Sequence, residues 1–356
     1  MESLAIVGAG PAGVGAAYAL RDADVDVTIL EKSRGVCGRA ATRRRNDCRY
    51  DHGANYVKAD DRTDDLLREL GEDGLVDVEL PVWTFTSDGA ISAGDEERGD
   101  AHKWTWETGI TQLAKRLLDR TDATVERETR VEAVERVETG GVDGVEGARD
   151  EWGWHLADTD GEAHGPFDAL VLTPPAPQTA ALLAATHWQS EHLPALREAV
   201  GSVSYRPTLS AILHYPFELD RPWYGLVNVD KDHDVGWLSR EECKRGHVPD
   251  GETLLVVQLG AEWSDEHYDD PEGAVVDAAA AKAATLLDDD RLADPDWTDL
   301  QRWRYAQPNE GADADVLRRG EVDGLYFAGD WVVGEGRVHR ALWNGYEVGE
   351  RIGEGR

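Results

Sequence analysis

The sequence predicts an α/β protein in which a parallel, doubly wound sheet carries a second, inserted α+β domain. Three observations lead there. The chain opens with LAIVGAGPAGVGAAYALRDADVDVTILEK, from Leu4 to Lys32, which reads as strand, glycine-rich turn, helix and strand. It closes with GLYFAGDWVVGEGRVHRALWNGYEVGERI, again strand, turn and helix. At 356 residues it is too long for one ordinary core; about two domains of roughly 150 residues each is the expectation.

The elements follow in order. Residues 4–10 are mostly apolar, as a strand buried on both faces should be. Pro11 suits a first helical turn, Ala16, Ala17, Ala19 and Leu20 continue the helix, and residues 25–31 form the second strand. An arginine-rich loop leads to an amphipathic helix near 64–70. In residues 109–120, Ile110, Leu113, Ala114 and Leu117 share one helical face. A strand at 123–131 precedes a β-meander around a glycine-rich turn, which ends in a buried strand at 169–173. Strands at 208–215, 235–238, 253–259 and 299–305 then accompany an alanine-rich helix at 272–287. No internal repeat or low-complexity linker interrupts this. The expected division is a nucleotide domain from 1–76, 105–178 and 318–356, with a substrate domain from 77–104 and 179–317.

Composition narrows the function classes. Apolar residues make up 41 % of the chain, enough for a sizeable core. No run approaches the roughly 18 apolar residues of a membrane span, and a chain that enters a strand at once leaves no room for a signal peptide, so a cytoplasmic protein is expected. Against 71 acidic residues stand 37 basic ones, of which 7 are Lys, for a net charge of −34. That sign disfavours nucleic acid. The acids are scattered, which reads as a salt-adapted surface like that of extreme halophiles; an acidic face for a cationic partner is the alternative. Cys37, Cys48 and Cys243 cannot all pair within the chain and form no CxxC, so reduced, buried thiols are expected.

Gly8, Gly10 and Gly13 fit GxGxxG. The first permits the tight turn, the second lets backbone approach a pyrophosphate, and the third lets helix and strand pack closely. The helix N-terminus then faces the diphosphate. Glu31 ends the next strand, where a carboxylate takes ribose hydroxyls. These residues predict a Rossmann-like dinucleotide site.

The segment EKSRGVCGRAATRRRNDCRYDHGANY resembles the one that flavin amine oxidases carry after their second strand. Their Glu…Gly-Gly-Arg becomes Glu31…Cys37-Gly38-Arg39, with Cys37 where the family usually has its first glycine. The resemblance implies non-covalent FAD. It places Ala12, Lys32, Gly38 and Arg39 at the nucleotide, and Gly53, Ala54, Asn55 and Tyr56 along the flavin ring. The YFAGDW stretch resembles the family's second FAD signature, so Gly329 and Asp330 should meet the ribityl chain or phosphate. Arg337, Val338, His339 and Ala341, entering the last helix, should offer N–H groups and a helix dipole to the flavin pyrimidine edge, where reduced flavin carries negative charge. Val131 falls where relatives meet the adenine, and Thr173 near the ribose; a core valine and a turn threonine are the plain alternatives.

A finer resemblance covers nearly the whole chain. GRAATRR, DHGANY, TGITQLAKRL, FDALVLTPPAPQ, VSYRPTLSAIL, RPWYGL, RWRYAQP and GLYFAGDW stand in the order and spacing of the renalase-like family. It implies the p-hydroxybenzoate-hydroxylase-like fold and an oxidase that takes hydride from isomeric dihydronicotinamide dinucleotides and passes electrons to O₂. Such hydride transfer needs stacking and orientation rather than an acid–base pair. The sequence shows no Ser-His-Asp order, no HExxH and no metal-ligand spacing. Asn55, Tyr56, Trp83, Tyr205, Trp237 and Trp303 are the candidates to hold the nicotinamide, with Arg304 and Gln258 for its carboxamide; core packing is the plain alternative for each Trp. Arg34, Arg39, Arg43, Arg44, Arg45 and Arg49 face only Asp47 within sixteen residues, so some of Arg43–Arg45 are expected to meet substrate phosphates, a solvated charge run being the alternative. Two other functions are consistent with the motifs: a flavin amine oxidase or desaturase, and a redox-silent FAD-binding protein.

Overall fold

Five parallel strands run in the order Thr124–Arg127, Asp26–Glu31, Ser3–Val7, Ala169–Leu172, Leu325–Phe327. Ile6 sits at their centre, in register with Ile29 on one side and Val171 on the other. The central residues Leu4, Ala5, Ile6 and Leu170 are fully buried, which is why these strands read as apolar runs rather than alternating ones. This is a computed structural model, and it describes residues 1–58, 60–94, 101–139, 151–186 and 188–355.

Two units make up the chain: Met1–Gly38 with Leu113–Ser204 and Gln307–Arg356, and Arg39–Gln112 with Tyr205–Ala306. The division expected from the sequence differs: it grouped 39–76 and 105–112 with the nucleotide-binding segments, and 179–204 and 307–317 with the substrate segments.

In the first unit the N-terminal helix Pro11–Ala19 starts with Pro at its first turn and packs on the last helix, Val338–Glu354. Their contact is backbone on backbone: a Cβ at Gly345 would fall 1.9 Å from the Ala12 carbonyl oxygen, and one at Gly349 2.5 Å from that of Ala16. The meander Val131–Thr139, Glu151–Asp158 and Ala163–Phe167 is antiparallel. The expected strand at 123–131 is in fact two elements. Thr124–Arg127 joins the parallel sheet, and after a break at Glu128, where φ is +59°, Val131 opens the meander. The expected glycine-rich turn at 140–150 lies outside the described residues.

The second unit is built on a seven-stranded sheet, in the order Trp297–Pro308, Tyr205–Tyr215, Thr253–Leu259, Val235–Arg240, Gly225–Asn228, Val82–Phe85, Ile91–Ser92. Alternation splits its side chains between two faces. Ala211, Leu213, Leu255 and Val257 pack against Val275, Val276, Ala279, Ala280 and Ala283 of helix Glu272–Leu287. Ile212, Leu254 and Val256 pack against Cys48 and Tyr50.

Those two residues belong to the segment expected as an arginine-rich loop, and here the structure corrects the sequence reading. Thr42–Arg45 and Cys48–Asp51 form an antiparallel hairpin. Asn46 and Asp47, at φ of +47° and +64°, supply the left-handed two-residue turn whose twist suits a hairpin. A second small sheet, Val57–Lys58, Lys103–Trp106 and Leu75–Asp77, is also antiparallel. Among the described residues no helix is long and apolar enough to cross a membrane.

Candidate active site

The first unit presents a dinucleotide cradle at the C-terminal ends of its parallel strands. Gly8, at φ +99°, turns the chain out of the first strand. A Cβ at Gly13 would lie 2.0 Å from the Gly8 carbonyl oxygen, so the helix can start this close to the turn only with glycine there. At Gly10 nothing lies within 4 Å of where a Cβ would stand. That open position, over the helix N-terminus, is where a pyrophosphate meets backbone N–H groups. Thr173 donates its hydroxyl to the Val7 carbonyl at 2.7 Å and so stands beside the turn.

Glu31 is 5 % exposed, and its carboxylate is already partly engaged: it accepts N–H groups from Ala9 and Ser33, each at 2.8 Å. Two bonds leave a carboxylate further acceptor capacity for ribose hydroxyls. Glu31 therefore fastens the glycine turn as well as offering itself to a ligand. Cys37 adopts φ +81°, the conformation a glycine would take at no cost, and its N–H donates to the Ala9 carbonyl at 2.8 Å. The neighbouring Gly38, at φ +54°, lies against the Cα of Gly10. Lys32 is exposed, with its ammonium 3.5 Å from the Gln178 amide oxygen, and Ala12 is buried. Val131 is buried at the start of the meander.

Near the C-terminus, Gly329 receives the Asn344 side-chain oxygen on its N–H at 2.9 Å. Asp330, 5 % exposed, heads the short helix Asp330–Val333. Arg337 caps helix Val338–Glu354 in an extended conformation, with Val338 first in the helix and Ala341 bonded back to the Arg337 carbonyl. The first N–H groups of this 17-residue helix, having no intrahelical acceptor, form the positive end expected to face a flavin. The open Gly10 position and the part-engaged Glu31 carboxylate fit a dinucleotide cofactor.

In the second unit, the loop after Asp51 is braced from several sides. The Arg39 carbonyl accepts the Ala54 N–H at 3.0 Å, and a Cβ at Gly53 would fall 2.0 Å from that same oxygen. Asn55, 7 % exposed, donates its amide to the Asp51 carbonyl at 2.7 Å. Gln258 donates to the Gly53 carbonyl at 2.6 Å, and Trp303 donates its indole N–H to the His52 carbonyl at 3.0 Å. Trp303 also stacks on the His52 ring at 5.5 Å. Burial, and then the Arg43 charge, push the His52 ring down to about 4, so it is neutral at pH 7. Tyr56, Tyr224 and Trp237 form one aromatic group with centroids 6.1–6.2 Å apart. The buried Trp237 indole N–H has no acceptor among the described residues. Trp83 packs against the sheet core, Tyr205 meets Tyr305 edge-on at 5.6 Å, and Arg304 lies over Tyr268 at 4.2 Å.

Beneath this loop is a buried charge cluster that sequence reading missed. Lys244, Asp51, Glu241 and His247 all have fully buried side chains. The Lys244 ammonium lies 3.0 Å from Asp51 and 2.7 Å from Glu241, and both His247 ring nitrogens face oxygens, of Glu241 and of the Trp106 carbonyl. Asp51 also accepts from the Thr42 and Thr105 hydroxyls and the Ile110 N–H at 2.7, 3.0 and 3.0 Å. Burial alone would push the Asp51 carboxyl up. The Lys244 and His247 charges, with these bonds, hold it below the ordinary value instead. The clue in the sequence was slight, a single Asp before the HGANY loop.

The arginines are largely spent on structure. Arg43 pairs with Asp299 at 2.8 Å and Gln301 at 2.5 Å, Arg45 donates to the Thr298 carbonyl and Arg49 to that of Gly246. Arg39 donates to the Tyr305 and Ala306 carbonyls at 3.1 and 3.0 Å. Arg44 makes no hydrogen bond or ion pair among the described residues. Cys37, Cys48 and Cys243 form no disulfide; the first two are buried and the third half-buried.

A Rossmann sheet with this cradle defines a dinucleotide-binding protein, and the family match makes it a flavin-dependent oxidoreductase. Residues 6–70 match the NAD(P)-binding Rossmann-like domain family, and residues 85–352 match the family of flavin containing amine oxidoreductases. The chain belongs to the latter. Solved structures of the same fold include a protein provisionally assigned as a protoporphyrinogen oxidase, from Exiguobacterium sp. 255-15. It has a TM-score of 0.74 and 16 % identity, over 100 % of this chain and 99 % of that one. Wild-type putrescine oxidase bound to putrescine gives 0.69 and 14 %, over 100 % and 99 %. Reduced UDP-galactopyranose mutase gives 0.74 and 11 %, over 99 % and 94 %.

Proposed function

We propose that the protein is a cytoplasmic, renalase-like oxidase with non-covalent FAD and the p-hydroxybenzoate-hydroxylase-like fold. It oxidises isomeric dihydronicotinamide dinucleotides to the aromatic nicotinamide and reduces O₂ to hydrogen peroxide. The observation that carries this reading is the aromatic group Tyr56, Tyr224 and Trp237, in which the Trp237 indole N–H and the Tyr224 hydroxyl have no partner among the described residues. Flat aromatic faces and two spare donors suit a nicotinamide ring and its carboxamide better than they suit a cationic amine.

In this reading 1–76, 105–178 and 318–356 serve the cofactor, and 77–104 with 179–317 serve the substrate. Gly8, Gly10, Ala12 and Gly13 admit the pyrophosphate, Glu31 holds the adenosine ribose, Lys32, Val131 and Thr173 border it, and Gly38 and Arg39 close the turn. Gly329 and Asp330 hold the ribityl phosphate side, while Arg337, Val338 and Ala341 bring the helix N-terminus to the pyrimidine edge. When bound, the flavin supplies the two-electron acceptor that passes its electrons to O₂. Gly53, Ala54, Asn55 and Tyr56 keep that region dry; Trp237 orients the carboxamide, and Trp303 and Arg304 support the pocket wall.

A second reading, oxidation of an amine, is favoured by the family match itself. Aerobic turnover separates the two. The dinucleotide reading requires one equivalent each of oxidised dinucleotide and hydrogen peroxide from 2- or 6-dihydronicotinamide substrates; aldehyde and peroxide from polyamines, with no dinucleotide turnover, would replace it with the second.

A further inference from the structure

The hairpin and the seven-stranded sheet bring together a second set of polar side chains, distinct from the cofactor motifs. Cys48 opens strand Cys48–Asp51, His214 lies in Tyr205–Tyr215, and Glu252 immediately precedes Thr253–Leu259. One donor atom from each, a thiol sulfur, a ring nitrogen and a carboxylate oxygen, lies within 4.8 Å of the other two. Cys48 is 1 % exposed, and its thiol has no hydrogen-bond partner among the described residues. His214 is 5 % exposed and stacks on Trp297 at 5.0 Å and 12°, which fixes the ring plane. Its Nε2 lies 2.9 Å from Glu252, while Nδ1 lies 3.4 Å from Asp296.

We propose that Cys48, His214 and Glu252 bind one divalent transition-metal cation of the zinc type, with Asp296 orienting the His214 ring from its far side. Sulfur, imidazole and carboxylate together are the donor set that zinc takes, and a carboxylate behind a ligating histidine is its usual support. At zinc–nitrogen and zinc–oxygen distances of about 2.0–2.2 Å, tetrahedral ligand atoms stand roughly 3.3 Å apart. The 2.9 Å now bridged by a proton needs only a few tenths of an ångström to open. Binding would expel the thiol proton to solvent and move the ring's single proton from Nε2 to Nδ1, facing Asp296. Thiolate and carboxylate then cancel the cation's two charges, so the filled site is neutral.

The neighbouring group Asp51, Glu241 and His247 has similar spacing, but there Lys244 already supplies the positive charge. No such ammonium serves Cys48: Arg45, its partner across the hairpin, is spent on the Trp297 ring and the Thr298 carbonyl. A bound cation is what would make the buried Cys48 thiol a thiolate.

The test uses the full-length flavoprotein, stripped with a chelator and titrated with zinc sulfate in molar KCl with excess Mg²⁺ to saturate the acidic surface. One zinc per chain should survive gel filtration. Its X-ray absorption spectrum should show one sulfur at about 2.3 Å and nitrogen or oxygen at about 2.0–2.2 Å. Cys48→Ser and Glu252→Gln should each weaken retention at least tenfold, whereas Cys243→Ser should not. No retained zinc, or zinc retained without a sulfur neighbour, overturns the proposal. The spectrum of the unmutated protein decides this even where a variant fails to fold.

Discussion

Lys244→Met removes one cation from a cluster in which no side chain reaches water. At 2.7 and 3.0 Å and an effective dielectric of about 20, each of its two contacts is worth roughly 6 kcal/mol before desolvation. The variant also escapes the cost of burying an ammonium, so the net loss is smaller. Breaking a buried pair and leaving its carboxylates uncompensated costs about 3–5 kcal/mol. For a unit of this size each kcal/mol moves the thermal midpoint by about 2–4 °C, so scanning calorimetry should show a fall of roughly 6–20 °C.

The pH dependence has a defined sign. Asp51 titrates below its ordinary value in the folded chain, so its contribution is present above about pH 4 and is lost as pH falls through that depressed value. Burial opposes the Lys244 charge, but Asp51 and Glu241 raise it overall; its contribution is full below about pH 10 and is lost only as pH rises through the raised value. The gap between parent and variant should therefore be flat from about pH 5 to 9 and narrow in acid, where protonated carboxyls no longer need the ammonium. A midpoint within 2 °C of the parent at pH 7 would refute the claim that this cluster holds the loop-bearing hairpin in place.

The other predictions rest on separate observations. Glu31→Ala should lose FAD on gel filtration, because it removes ribose acceptors and frees the Ala9 and Ser33 N–H groups at once, each bond to a charged group being worth about 1.5–3 kcal/mol; full flavin retention would contradict this. Cys37→Gly should shift the thermal midpoint by no more than a few degrees, since relief of the positive φ, about 1–2 kcal/mol, offsets the lost buried side chain. Of the three consecutive arginines only Arg44 is without a structural partner among the described residues, so Arg44→Gln should raise KM roughly ten- to hundredfold with kcat little changed, an effect absent with a nicotinamide riboside substrate. The midpoint of the parent should keep rising with KCl into the molar range, beyond the few tenths molar at which simple screening of its −34 charge is nearly complete, as a salt-adapted acidic surface would make it.

Local chemistry made much of the first unit legible. The glycine spacing, Pro11 and the apolar strands each act within a few residues; Pro11 opens its helix as expected, and the first strand ends at Val7, where the glycine turn begins, rather than at residue 10. Helix Glu272–Leu287 has its expected bounds because its buried residues recur at helical spacing after a Pro. The arginine hairpin was hidden because what stabilises it is distant: Arg43 finds Asp299, and Tyr50 donates to the same carboxylate, across some 250 positions. The buried cluster was hidden for the same reason. Glu241, Glu242, Lys244, Arg245 and His247 are charged or polar neighbours in the sequence, and Asp51 and the Trp106 carbonyl, brought in by other strands, turn part of that segment into core. Trp303 and Gln258 were expected to face substrate; their hydrogen bonds also brace the loop, a role that spacing alone could not reveal.

The central claim concerns which reductant the flavin accepts, and anaerobic stopped-flow absorbance measures that directly. Mixing the oxidised protein with 2- or 6-dihydronicotinamide dinucleotide should bleach the flavin band fully within the dead time to seconds, with rates that saturate in substrate, while putrescine and other amines leave it yellow. Bleaching by amines and none by either dihydronicotinamide would contradict the account.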